Sequence, residues 1–110
     1  MSTASKLDCK EILKAVRAIL EPMYGERLRG LVLYGSVARG DYDEDSDVDI
    51  LVLLDEVGKY GEEMRRLGTI LYPLALGVDH RISAKPVAEA AYRHGEIPLY
   101  VNARHEGIAG

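Results

Sequence analysis

The run VDILVLL, residues 48–54, constrains this chain more than any other segment. Its branched apolar residues suit a pleated, largely buried strand, and such a strand has to lie inside a sheet. A second run, LRGLVLY at 28–34, reads as another strand and stops at Gly35-Ser36. Between them the chain carries Arg39 and then Asp41, Asp43, Glu44, Asp45 and Asp47, with Asp49 just inside the second run. Carboxylates crowded at the entrance to a buried strand repel one another, so they raise the question of which cation they are placed for.

The remaining elements follow from periodicity and punctuation. Asp8 with Glu11 three positions on resembles a capping box, and Ile12, Leu13, Val16, Ile19, Leu20 and Met23 recur at helical spacing, predicting a first helix ended by Pro22 and Gly25. Met64, Leu67, Leu71 and Leu74 predict a helix between Gly58 and Leu76 despite Gly68 and Pro73. Gly77 then restarts the chain as a third strand, VDHRIS, and Pro86 opens a further helix, PVAEAAYRH. The closing IPLYVNARHEG stays open between helix and strand. Alternating helices and strands predict a mixed α/β (α+β) fold, a short mixed sheet flanked by helices, as one domain over residues 1–110.

Charge narrows the function classes. The net charge of −4 comes wholly from residues 1–55, which hold 7 basic and 11 acidic side chains against 7 of each in residues 56–110. A protein that grips nucleic acid through its phosphates is ordinarily basic, so direct nucleic-acid binding is not expected. No run approaches the roughly 18 apolar residues of a membrane span, and the N-terminus lacks a signal-peptide pattern, so a cytoplasmic location is expected. Cys9 is the only cysteine, which leaves no internal disulfide and no multi-cysteine zinc site, and its spacing places it on the apolar face of the first helix. With seven tyrosines and no phenylalanine or tryptophan, tyrosine is the aromatic core filler; Tyr34, Tyr72 and Tyr100 read as packing residues and Tyr42 as exposed.

The acidic segment sustains three readings. A solvated turn accounts for Asp41, Asp43, Glu44 and Asp45, with Ser46 shaping the turn, but not for Asp47 and Asp49. Those two alternate with Val48 and Ile50, so both carboxylates point to one strand face. A calcium loop of the EF-hand kind fails where its geometry is most demanding: Ser46 stands at the glycine of the sharp turn, and Val52 where a bidentate glutamate should close the site. The third reading joins both ends. Gly35-Ser36 at a strand end lets backbone N–H groups and a hydroxyl approach a phosphate, and Asp47 with Asp49 supplies hard oxygen ligands suited to Mg²⁺ bound together with substrate phosphates. A phosphate cradle facing a metal clamp is what nucleotidyl transfer requires.

In its full form, YGSVARGDYDEDSDVDILV resembles the signature of the DNA polymerase β-like nucleotidyltransferase superfamily, and in particular its minimal nucleotidyltransferases. That resemblance implies an ATP substrate, two Mg²⁺ ions on Asp47 and Asp49, phosphates held by Gly35 and Ser36, and a phosphate contact from Arg39, which matches the family's Arg-Gly pair. It also implies a third carboxylate from a neighbouring strand, for which Asp79 is the candidate. In a chain this short no separate domain to grip an acceptor is expected. The resemblance implies a partner that presents one: minimal nucleotidyltransferases act as antitoxins of HEPN-domain ribonuclease toxins and transfer AMP to a tyrosine hydroxyl of the toxin. A non-catalytic antitoxin that acts by complex formation, and a transferase for small-molecule acceptors, are the alternatives. His80, His94 and His105 have no partner at ligand spacing and stay outside the chemistry.

Overall fold

The computed structural model describes residues 7–110. The Asp8 carboxylate accepts the Glu11 N–H at 3.1 Å and caps helix α1, Cys9–Tyr24. Ile12, Leu13, Val16, Leu20 and Tyr24 form its buried stripe. Pro22 does not end this helix. It sits inside the last turn, which is held by the burial of Tyr24 and by the Gly25 N–H donating to the Glu21 carbonyl. A 3-10 turn, Gly25–Arg27, leads into strand β1, Leu28–Tyr34. Next come the short helix α2, Gly35–Arg39, strand β2, Val48–Leu54, and helix α3, Tyr60–Val78.

Beyond α3 the boundaries differ from the sequence reading. Val78 still belongs to α3, Asp79 is its left-handed cap, and strand β3 runs Ile82–Ala88. Pro86 therefore lies in a strand rather than at a helix start. In the sheet order β3-β2-β1-β4, β3 is an edge strand. The Arg81 carbonyl accepts from Val48 N–H, so by alternation the even-numbered residues of β3 turn their backbone groups to the free edge, where a proline's missing N–H costs no ladder bond. Helix α4, Glu89–His94, follows, and the ambiguous C-terminal segment resolves into helix α5, Pro98–Glu106, with Pro98 at its start, and strand β4, Ile108–Ala109.

β1 pairs antiparallel with β2 and β4, whereas β2 and β3 run parallel, so the sheet is mixed. The two-residue side-chain period divides it into two faces. Leu31, Leu33, Val48, Ile50, Val52, Leu54 and Ala84 pack with α1 and with Leu67 and Leu71 of α3. On the other face, Val32, Tyr34, Leu51, Leu53 and Val87 pack with Ala103, Tyr92, Leu99 and Tyr100 of α4 and α5. β2 is thus buried from Val48 to Leu54 apart from one residue, Asp49. Cys9 is partly buried against the first of these cores, where burial pushes its thiol up. Tyr72 departs from its expected packing role and is 61% exposed on α3. No helix among the described residues is long and apolar enough to cross a membrane.

Candidate active site

Where β1 ends and β2 begins, the antiparallel register sets Tyr34 opposite Asp49. The chain leaves Tyr34 into Gly35, whose φ of 81° lies in the left-handed region. A Cβ on Gly35 would lie 2.6 Å from Asp49 Oδ2. Glycine is therefore required here twice over, by backbone conformation and by the carboxylate resting against it. The first half of the motif makes room for the second.

The acidic residues separate by partner. Asp43 and Ser46 build the turn: Asp43 Oδ1 accepts from Asp45 N–H at 2.9 Å and from the Ser46 hydroxyl at 3.2 Å, while Ser46 Oγ accepts from Asp43 N–H at 3.0 Å. The turn is anchored from β3's side by His80, whose Nδ1 lies 2.7 Å from the Ser46 carbonyl. A carbonyl only accepts, so Nδ1 carries the proton and donates. Tyr42, expected to be exposed, packs edge-on against His80 and accepts the Leu7 N–H at 2.7 Å, because the loop folds back onto the start of α1. Asp41 pairs with Arg39 at 3.3 Å, and Asp47 pairs with Arg81 at 3.4 Å.

Asp49 is the electrostatically distinctive member. Burial pushes its carboxyl up from the ordinary carboxylate range, and the neighbouring charge of Asp47 adds to this, while the ammonium of Lys85 and the guanidinium groups of Arg39 and Arg81 work against it. Lys85 reaches the site from β3 and donates to the Tyr34 hydroxyl at 3.3 Å. Burial likewise raises Tyr34, with Lys85 opposing. Lys85 was absent from the residues expected of the site. With β3 placed at 82–88, strand alternation alone would have put Ser83 and Lys85 on the Asp49 face.

The expected place of Asp79 on the third strand requires a correction. Asp79 stands outside β3, capping α3 with φ 59°, exposed, and it lines a cavity of about 600 Å³ with Tyr72 and Leu76 of α3. Among the described residues no three His, Cys, Asp or Glu side chains come together as a metal site, and Asp79 stands on the α3 cap rather than on the strand beside Asp49. The strand reading failed because α3 runs through Gly77 to Val78, two residues past the predicted end, and is capped by Asp79, a residue type that tolerates the left-handed conformation. Arg39 lies exposed at the end of α2, shared between Asp41 and Glu106, both at 3.3 Å. The site thus brings together Gly35, Ser36, Asp47 and Asp49 with Lys85, and keeps Arg39 at its rim. Two carboxylates on one face, one of them partly desolvated, form a donor set that fits a hard divalent cation sharing its remaining positions with phosphate oxygens.

The profile of the nucleotidyltransferase domain matches residues 9–97. The chain belongs to that family. In sequence it is similar to MJ0141 of Methanocaldococcus jannaschii, named as a candidate protein adenylyltransferase, with 40% identity over 55 residues, 50% of this chain and 56% of that protein. The chain spans about half the length of the curated relatives it matches. Among solved structures, a candidate minimal nucleotidyltransferase superposes with a TM-score of 0.53 at 29% identity, covering 94% of this chain and 97% of that one. A toxin–antitoxin complex crystallised with AMP-PNP gives a TM-score of 0.64 at 21% identity, covering 94% and 72%, and shares the nucleotidyltransferase fold.

Proposed function

We propose that this nucleotidyltransferase domain is an antitoxin that transfers AMP from ATP to a tyrosine hydroxyl of a partner HEPN ribonuclease toxin, with Mg²⁺ as its metal. The observation that carries the reading is the seating of Asp49 against Gly35, which joins the phosphate-binding turn and the acidic pair into one site. The name of MJ0141 supports protein as the acceptor, and the toxin–antitoxin complex crystallised with AMP-PNP supports both a toxin partner and an adenine nucleotide.

In this reading the acceptor oxygen attacks the α-phosphorus of ATP. A new O–P bond forms, the bond from the α-phosphorus to the bridging oxygen breaks, the hydroxyl proton leaves and pyrophosphate departs. The turn at Gly35 and Ser36 holds the distal phosphates by backbone N–H groups and the Ser36 hydroxyl. Asp47 and Asp49 would hold the Mg²⁺, which neutralises phosphate charge when bound. Arg39 swaps its exposed carboxylate partners for phosphate, an exchange that costs little because exposed ion pairs are weak. Most of the rate enhancement then comes from positioning and charge neutralisation.

The test is to incubate the protein with Mg-ATP and a HEPN-domain protein encoded beside it, and to search the partner by mass spectrometry for added AMP. Modification of a partner tyrosine is expected. A tight complex with no modification would instead establish an antitoxin that acts by binding, and the absence of both modification and complex would point to a small-molecule acceptor.

A further inference from the structure

We infer that Lys85 is a nucleotide-contacting residue of this site, its ammonium occupying the place of a second divalent ion. The inference rests on the nucleotidyl-transfer reading of Asp47 and Asp49 given above. Three observations lead to it.

The first is placement. In the parallel pairing of β2 with β3, Asp49 stands beside Ser83 and Leu51 beside Lys85, so Lys85 rises from the same sheet face as Asp49, one strand over. Its Nζ is tethered by the Tyr34 hydroxyl, and Tyr34 is both the register partner of Asp49 and the residue before Gly35. The ammonium is therefore tied to the residue that stands opposite Asp49 and leads into Gly35.

The second is a charge with no direct carboxylate contact. The arginines around the site already have carboxylate partners, Arg39 with Asp41 and Glu106 and Arg81 with Asp47. Lys85 has none within ion-pair distance among the described residues, although it is half-buried and its only hydrogen-bond partner is a neutral phenol. Its charge is felt by Asp49, yet no carboxylate makes direct contact with it, so a phosphate oxygen that reached the ammonium would add a charge-assisted hydrogen bond. A triphosphate placed over Gly35 and Ser36 brings such an oxygen to it.

The third is ligand supply. Asp47, Asp49 and Lys85 sum to one negative charge, which one divalent ion turns into one positive charge facing the nucleotide. A second divalent ion would need oxygen ligands that no cluster of three acidic or imidazole groups provides among the described residues, and it would meet the ammonium's repulsion. Lysine binds phosphate as a compact point charge, which suits this position.

The experiment titrates the full chain with Mn²⁺ in the presence of AMP-PNP, counts bound ions per chain by electron paramagnetic resonance, and measures AMP-PNP affinity without metal. One Mn²⁺ per chain–nucleotide complex is expected. Lys85→Met should weaken metal-free AMP-PNP binding by about 10- to 100-fold, the range for losing a hydrogen bond to a charged group, and Lys85→Arg should recover most of it. Lys85→Gln, which keeps a donor for Tyr34, serves if the methionine variant melts early. Two Mn²⁺ ions in the wild type, or unchanged affinity in folded Lys85→Met, would overturn the assignment while leaving nucleotidyl transfer standing. If instead the wild type fails to bind AMP-PNP, or Asp47→Asn with Asp49→Asn binds Mn²⁺ and AMP-PNP as the wild type does, the underlying reading fails and takes this one with it.

Discussion

Replacing Gly35 by alanine separates two costs that the structure puts at one residue. The new Cβ would lie 2.6 Å from Asp49 Oδ2, against about 3.4 Å for ordinary contact, so the carboxylate has to retreat by about 0.8 Å. The left-handed backbone, at φ 81°, adds about 1–2 kcal/mol for a residue with a side chain. For a domain of this size that strain lowers the melting temperature by roughly 4–15 °C. Displacing a reacting group by about 1 Å costs on the order of 100-fold in rate. Gly40 is the internal control, because its φ of 83° is equally strained for alanine yet nothing lies within 4 Å of its Cβ. Circular dichroism melts and rates of AMP transfer should therefore show Gly35→Ala and Gly40→Ala losing similar stability, with only Gly35→Ala losing roughly 100-fold in rate at a temperature where both are folded. Equal rates for the two variants would refute the claim that Gly35 positions Asp49.

Three further outcomes are expected. Asp49→Asn should abolish transfer yet raise stability near neutral pH. Because burial raises the folded-state pKa of Asp49, its ionisation opposes folding, so the variant's advantage is present above that pKa and disappears as the pH falls below the ordinary carboxylate range; urea melts across pH that show no such trend would contradict this. Gly68→Ala, at an exposed position of α3 with nothing within 4 Å of the new methyl, should stabilise the protein by about 0.5–1 kcal/mol in urea melts. Leu20→Ala, at a fully buried position of α1, should cost about 2–5 kcal/mol, read from the same melts, whereas a cost under about 1 kcal/mol would mean that α1 is not packed as described.

Local patterns carried the central part of the molecule. β1 and β2 lie where their apolar runs begin and end, since a strand with one or both faces buried writes its burial into consecutive residues. The α1 cap is equally local, because Asp8 and Glu11 meet within one turn. Past Gly77 the signals competed. Gly77 and Pro86 both look like boundaries, yet Gly77 sits within α3 and Pro86 within β3. A proline is acceptable in a strand only at a free edge, and being an edge is a property of the sheet order rather than of the neighbouring residues. The same shift moved Asp79 off the strand and set Lys85 on the Asp49 face.

The residues themselves were enough to establish the family motif, the shared face of Asp47 and Asp49, and the division of the acidic segment into a turn and a pair, because each depends on contacts or alternation within a few positions. Tertiary structure decided which neighbour strand faces Asp49, and in what register. It also decided that Gly35 has to be glycine for the sake of a carboxylate 14 positions away, that Tyr42 folds inward onto Leu7, and that Lys85 rather than Asp79 rises from the sheet face of Asp49. Those outcomes depend on pairings between segments far apart in the chain, which strand order and burial determine and local spacing does not encode.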